Sequence, residues 1–357
     1  MYRNLRVVPQ LMFGRGSVRQ LGDILAARRK DSSAPTVFLI DRVHEGKEFV
    51  RQLPAAASDL VIFVNVDTEP KTIYVDELTH RAQEFSSQQA CAVVGIGGGS
   101  TMDLAKAVAL MLTNPGSSSD YQGWDLVNNP GIYHVGIPTL AGTGAEVSRT
   151  TVLTGPTRKL GINSDYTPFD QIILDADLLA GAPKDQRFYT AMDSFIHASE
   201  SLLGTFINEF SRAFAEKSQA LCRDVFLGHI EEAVADEMLM VASYLGGMSI
   251  AYSQVGVCHA LCYGLSYVLG VRHGIGNCIA FNQLEEYYPE DVQTFRAMLE
   301  RHNIELPRGL TEGLSEQQMN EMIRVALSLA PLWQNALGPD WKEKMTPERA
   351  RELYLRM

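Results

Sequence analysis

The stretch Cys91-Ala92-Val93-Val94-Gly95-Ile96-Gly97-Gly98-Gly99-Ser100-Thr101-Met102-Asp103-Leu104-Ala105-Lys106 decides the fold. An apolar run breaks into consecutive glycines, and a helix-patterned segment opens directly after them. Strand, tight glycine turn and helix form the unit from which parallel sheets are built. The same alternation recurs on either side. Residues 36–40, 60–64 and 91–95 read as strands, with amphipathic stretches such as 73–85 between them, and 132–137 and 171–174 read as two more. Residues 150–154 and 160–163, parted by Gly155-Pro156, read as a hairpin appended to the 132–137 strand. These elements predict a doubly wound α/β domain over residues 1–178. After Asp177 the strand signals stop. Apolar-periodic runs at 188–203, 231–251 and 316–329 predict an all-helical domain over 179–357.

Composition agrees. The 357 residues make about two domains. A 46% hydrophobic and 20% charged composition supplies a core and argues against a disordered or fibrous chain. Lys+Arg of 31 against Asp+Glu of 42 gives a net charge of -11, so the footprint of a general nucleic-acid or anionic-membrane binder is missing. The five cysteines form no C-x-x-C pair, which implies a reducing compartment. Residues 1–11 lack the apolar core of a signal peptide, and no apolar run approaches the ~20 residues of a membrane helix. The expected location is cytoplasmic.

Two glycine loops follow strands. At Gly97-Gly98-Gly99-Ser100 the bare backbone is suited to approach a pyrophosphate, and the helix start supplies N–H groups and a favourable dipole. Ser100 and Asp103 fit an S-x-x-D capping box that would start the helix near Ser100. The spacing is not G-x-G-x-x-G, and the competing reading is a turn needed only for strand–helix packing. The second loop is Pro138-Thr139-Leu140-Ala141-Gly142-Thr143-Gly144-Ala145-Glu146. Its threonines suit phosphate or ribose, though alone it reads equally well as a turn. Asp41 ends the 36–40 strand, where an acid accepts from a ribose 2′-OH or caps the following turn.

In the helical half, Asp193 and His197 are spaced i, i+4, so a helix would place both on one face. His259 and His273 are fourteen residues apart, ~21 Å along a straight helix. They share an ion only if the chain reverses between them, and Gly264 and Gly270 are placed to allow a break. One Asp and three His suit Fe²⁺ or Zn²⁺, with no thiolate to select zinc. The competing reading is satisfied core histidines. Cys258 and Cys262 read as small core residues.

The strings Gly97-Gly98-Gly99-Ser100-Thr101-Met102-Asp103-Leu104-Ala105-Lys106, Pro138 to Glu146, Asp193-Ser194-Phe195-Ile196-His197-Ala198-Ser199-Glu200 and the pair His259, His273-Gly274 resemble the iron-containing (group III) alcohol dehydrogenases. The resemblance runs over about residues 13–281. It implies an α/β plus all-α, dehydroquinate synthase-like fold, with an N-terminal doubly wound dinucleotide-binding domain and a C-terminal helical metal-binding domain. It implies that Asp193, His197, His259 and His273 bind Fe²⁺ or Zn²⁺. Gly97, Gly98, Gly99 and Ser100 would hold the pyrophosphate of NAD, with Asp103 in the same cradle. Asp41 would sit by the adenine ribose, and Thr139, Thr143 and Lys159 would line the dinucleotide site. The implied reaction is oxidation of a primary alcohol to an aldehyde by hydride transfer to NAD, in a homo-oligomer such as a dimer. Three residues depart from the pattern. Tyr263 stands where many members carry a second histidine, and is the expected proton-passing or substrate-bonding group. Arg272 precedes the last His-Gly, and Arg149 follows the second glycine loop. Both hint at an anionic substrate such as a sugar acid rather than a small alcohol or diol. A lyase-type relative of dehydroquinate synthase and a non-enzymatic nucleotide sensor are the competing classes.

Overall fold

The computed structural model describes residues 5–29 and 34–357. Residues 1–4, on which part of the signal-peptide reading rests, lie outside them. The described residues form two compact units, one of Leu5–Leu140 with Ala145–Ala180 and one of Ala141–Gly144 with Gly181–Met357. The heart of the second glycine loop therefore belongs to the helical unit, although it lies within the span expected to be α/β.

The strands are β1 (Gln10–Phe13), β2 (Thr36–Asp41), β3 (Leu60–Val64), β4 (Ala92–Gly97), β5 (Gly123–Trp124), β6 (His134–Pro138), β7 (Thr150–Thr154), β8 (Lys159–Asn163) and β9 (Gln171–Leu174). Six of them form one parallel sheet in the order β1-β9-β6-β4-β2-β3. β2 and β4 are buried along their whole length, as strands covered on both faces are, which is why they read as unbroken apolar runs. Phe38, Ile40, Val94, Ile96, Val135 and Ile137 make the core. The hairpin is not appended to β6 as expected. β7 and β8 join β5 in a separate three-stranded sheet, tied by the Gln122 amide, whose Nε2 donates to the carbonyls of Leu153 and Leu160 at 2.8 Å each. The α/β unit also holds helices α1 (Leu21–Ala26), α2 (Glu48–Arg51), α3 (Thr72–Phe85) and α4 (Gly99–Met111).

Strand order sets where a ligand goes. From β2 the chain steps to β3 on one side and then to β4 on the other. The loops leaving β2 and β4 diverge there and open a crevice at the carboxyl ends of the strands.

The helical unit comprises α5 (Lys184–Leu203), α6 (Glu209–Leu227), α7 (Glu232–Tyr252), α8 (Val257–Leu269), α9 (His273–Phe281), α10 (Pro289–His302), α11 (Glu316–Leu327), α12 (Ala330–Leu337), α13 (Trp341–Lys344) and α14 (Pro347–Tyr354). α5 packs on α6, α7 and α9 and is buried over most of its length. The reversal required between His259 and His273 occurs at Gly270, which ends α8 with φ +69°, a conformation glycine adopts without strain. Gly264 is not the break. It lies within α8, where a β-carbon would overlap the Tyr354 hydroxyl that donates to the Leu261 carbonyl at 2.9 Å.

Candidate metal centre and dinucleotide cradle

Four side chains converge in the helical unit. Asp193 and His197 come from successive turns of α5, His259 from the first turn of α8, and His273 opens α9. Asp193 Oδ1 lies 3.2 Å from His259 Nε2 and 3.6 Å from His197 Nε2, and Asp193 Oδ2 lies 3.5 Å from His273 Nε2. The ligand atoms of Asp193, His197 and His259 all lie within 4.8 Å of one another. These three are buried, whereas the His273 side chain keeps 27% exposure, so the cluster opens on its side. Asp193 Oδ2 and His197 Nδ1 are buried without a hydrogen-bond partner, an arrangement that costs free energy unless something else satisfies those atoms. One carboxylate and three imidazoles fit a divalent cation of iron or zinc character. Burial alone would raise the Asp193 carboxyl, but the charges of His197 and His273 and the hydrogen bond from His259 hold it below its ordinary range. Burial pushes His197 down to about 4. Burial also opposes the charged form of His259, but Glu200 and Asp193 carry that ring up to about 9.

Two neighbours of the cluster have no role in the sequence reading. Glu200, one turn beyond His197 on α5, accepts from His259 Nδ1 at 2.6 Å. Asn277, one turn into α9, donates from Nδ2 to Asp193 Oδ1 at 2.7 Å, and that nitrogen lies 3.1 Å from both His259 Nε2 and His273 Nε2. The Glu200 contact has a weak sequence signal, an acid in the Asp193-to-Glu200 string. Its partner lies 59 positions away, beyond any periodicity. Cys258 and Cys262 are buried as expected, and Cys262 Sγ lies 3.7 Å from His273 Nδ1. Tyr263 meets His273 edge to face, ring centres 6.3 Å apart.

The loop Ala141–Gly144 packs on this centre's own helix. The Ser194 hydroxyl, next to Asp193, donates to the Gly142 carbonyl at 2.9 Å, and the Gly144 amide donates to Ser243 Oγ at 3.3 Å. Thr143 therefore sits with the metal unit, while Thr139 sits with the α/β unit.

In the α/β unit the ends of β2, β4 and β6 meet. A β-carbon on Gly97 would come within 2.7 Å of Thr101 Cβ and 2.9 Å of Asp41 Cβ, so the cradle has room there only for backbone. The Thr139 amide donates to the Gly97 carbonyl at 2.9 Å, and the Thr139 hydroxyl lies 2.9 Å from His44 Nε2. Asp41 is buried and accepts from the Val43 amide at 3.2 Å, so it does cap the turn after β2. The capping box expected at Ser100 does not form. α4 starts at Gly99 with Gly98 as its N-cap and no side-chain cap. Asp103 turns instead toward β7, where it accepts from the Val152 amide beside Lys106. Burial raises the Asp103 carboxyl and lowers the Lys106 ammonium, each opposed by the other's charge.

Both halves of this arrangement have known counterparts. Residues 9–176 match the model of the iron-containing alcohol dehydrogenase family, and residues 187–326 match that family's C-terminal region. The chain belongs to the iron-containing alcohol dehydrogenase family. It is 29% identical over 284 residues to the NAD-dependent methanol dehydrogenase of Bacillus methanolicus, covering 77% of this chain and 73% of that one. It is 28% identical over 279 residues to the sulfoacetaldehyde reductase of Bilophila wadsworthia, covering 75% and 70%. The crystal structure of sulfoacetaldehyde reductase from Bifidobacterium kashiwanohense in complex with NAD+ has the same fold, with TM-score 0.79 at 21% identity over 99% of each chain. An iron-containing alcohol dehydrogenase is an NAD-linked oxidoreductase acting on alcohols, with iron and NAD as its cofactors, and this chain is such an enzyme.

The Arg149 guanidinium is bracketed by Asp165, to which Nε donates at 2.8 Å, and by Asp125. Its charge is shared by two carboxylates, an ion pair that competes with its expected role as contact for an anionic substrate. Arg272 is exposed and forms the N-cap of α9, directly before His273. Lys159 is buried at the start of β8 and pairs with Glu69 at 2.9 Å. Among the described residues no helix is long and apolar enough to cross a membrane.

The crowding at Gly97 gives a direct expectation. Gly97→Ala forces a methyl against Thr101 and Asp41, and overpacking of this kind costs ~1–3 kcal/mol. Because the strain falls on the cradle itself, NAD binding weakens by about tenfold or more, since each 1.4 kcal/mol is a factor of ten. Isothermal titration of NAD checks this, and unchanged affinity would move the dinucleotide away from Gly97.

Proposed function

We propose that this chain oxidises a primary alcohol borne on an anionic sugar acid, the C8 hydroxyl of 3-deoxy-D-manno-octulosonate (Kdo), to the aldehyde, with NAD as hydride acceptor. Such a step leads toward an amino sugar in lipopolysaccharide biosynthesis, in the cytoplasm. The observation that carries the alcohol-oxidising chemistry is the convergence of Asp193, His197, His259 and His273 around buried polar atoms that lack partners. When bound, the divalent cation supplies Lewis acidity toward the substrate hydroxyl, and NAD supplies the hydride acceptor.

The chain's own residues do the rest. Asp193 brings the one negative charge to the ligand set, and burial keeps competing water from it. Tyr263, against His273, is placed to take the hydroxyl proton outward. Arg272, exposed beside His273, offers a guanidinium to a carboxylate. Gly97, Gly98, Gly99 and Ser100 present backbone N–H groups to the pyrophosphate, and Asp41, with Thr139 nearby, stands at the end of β2 for the adenine ribose. β1 leaves Leu11 and Phe13 exposed on an edge strand, a surface that favours pairing with a second copy and supports a homodimer.

The name of the Bilophila relative gives it an anionic aldehyde as substrate, which supports a charged substrate here. The name of the Bacillus relative gives it methanol, which favours the second reading, a dehydrogenase of small alcohols or diols. Metal-reconstituted protein incubated with Kdo or 1,2-propanediol, with and without NAD and oxygen, separates the two. Aldehyde forms from Kdo, and Arg272→Met raises the Kdo KM by about tenfold, the effect of losing a hydrogen bond to a charged group. Turnover of the diol alone would establish the small-alcohol reading.

A further inference from the structure

Glu200 is 1% exposed, and its carboxylate joins the His259 ring to the first turn of α8. Its Oε2 accepts from His259 Nδ1 at 2.6 Å, and its Oε1 accepts from the backbone amides of Cys258 at 2.7 Å and His259 at 3.3 Å and from the Tyr288 hydroxyl at 3.4 Å. The carboxylate therefore sits at the N-terminal turn of α8, where helix N–H groups favour a negative charge. The other two imidazoles are backed differently. His273 Nδ1 faces the Cys262 thiol at 3.7 Å, and His197 Nδ1 is buried without a hydrogen-bond partner.

We infer that Glu200 is the positioning residue of the metal centre: by accepting at Nδ1 it fixes the His259 tautomer and aims Nε2 into the space where the ligand atoms of Asp193, His197 and His259 converge. This rests on the metal-dependent reading above. A neutral imidazole carries one proton, and an ionised carboxylate only accepts, so the proton resides on Nδ1 and Nε2 is left as the ligating atom. Glutamine does not reproduce this. It has one acceptor oxygen for a site that needs acceptors on both sides. Its NH₂ therefore faces either the α8 amides or Nδ1, and in the second case it drives the proton to Nε2, the wrong atom.

The test compares wild type, Glu200→Gln and Glu200→Asp, with zinc affinity from chelator competition and the His259 tautomer from long-range ¹H–¹⁵N spectra of histidine-labelled protein. Circular dichroism monitors the fold. In metal-free wild type at pH 10, above the range in which Glu200 and Asp193 keep the ring charged, His259 carries its one proton on Nδ1. Glu200→Gln holds zinc ~10–100-fold more weakly, the usual effect of losing a partner behind a ligating histidine, and gains a share of the Nε2–H form. Glu200→Asp keeps the tautomer and most of the affinity. Wild-type affinity and tautomer in Glu200→Gln would overturn the inference and leave Glu200 as a cap on α8. If Glu200→Gln does not fold, the wild-type spectrum decides, because an Nε2–H tautomer overturns the inference without any variant. A wild type that takes up no zinc or iron fails the metal reading itself, a result distinct from both.

Discussion

Asp193→Asn is expected to leave a folded chain that holds no stoichiometric metal and turns over alcohol on the order of 10³-fold more slowly or worse. Asparagine keeps the shape of the side chain and its place on α5, so the buried helix retains its packing. What it removes is the only anionic member of the ligand set, the carboxylate that lies within 3.2–3.6 Å of all three imidazoles. A bound cation can lower the pKa of a ligated water from 15.7 to ~7. Losing even a third of that activation for an alcohol leaves about a thousandfold deficit, or ~4 kcal/mol of barrier. Metal analysis by plasma spectrometry and steady-state kinetics read the two consequences separately. Full metal occupancy in the variant would remove Asp193 from the ligand set.

Gly142→Ala is expected to have the largest effect on stability. Gly142 has φ +149°, and a β-carbon there would overlap the Thr190 carbonyl oxygen and lie 2.9 Å from the Ala191 amide nitrogen. The backbone conformation costs ~1–3 kcal/mol for a residue other than glycine, and the forced separation from α5 adds ~1–3 kcal/mol. Together these lower Tm by about 10 °C at ~2–4 °C per kcal/mol. The damage also reaches the metal centre, because the Gly142 carbonyl accepts from Ser194, the neighbour of Asp193. Gly181→Ala is the matched control. It has φ +79° with nothing within 4 Å, so it carries the backbone cost alone. Calorimetry of both variants with metal content in parallel checks this, and equal shifts would mean that the contact with α5 carries no weight.

The sheet is legible where strands are buried on both faces, since β2 and β4 announce themselves as apolar runs, and β3 reads as one too although it is an edge strand with Val61 exposed. β1 is not legible. Its residues are largely exposed, it shows no alternation, and its place is set by pairing with β9, which lies at the far end of the unit. The metal pair on α5 was legible because i, i+4 spacing maps directly onto one helical face. His259 and His273 required a reversal that sequence located only to either of two glycines, and the positive φ falls at Gly270 alone. The Ser100/Asp103 pattern misled because a capping box is a local motif, whereas Asp103 answers to β7 and Lys106. The ion pairs of Arg149 are hidden in the sequence for the same reason. Its carboxylate partners stand 16 and 24 positions away, and only folding brings them to one guanidinium.

The four residues Ala141–Gly144 have a consequence for how such a chain can be recombined. Its peptide path enters the helical unit, returns to the α/β unit at Ala145 and leaves it again at Gly181. A single splice near residue 180, the natural junction for grafting a new metal domain onto an old nucleotide domain, carries the loop with the wrong parent. The grafted α5 then meets a foreign segment where Thr190 and Ser194 require a glycine of one particular backbone shape. Exchange between relatives therefore has to move the loop and the helices as one inheritance, which ties divergence of the metal half to a short insert within the coding span of the other.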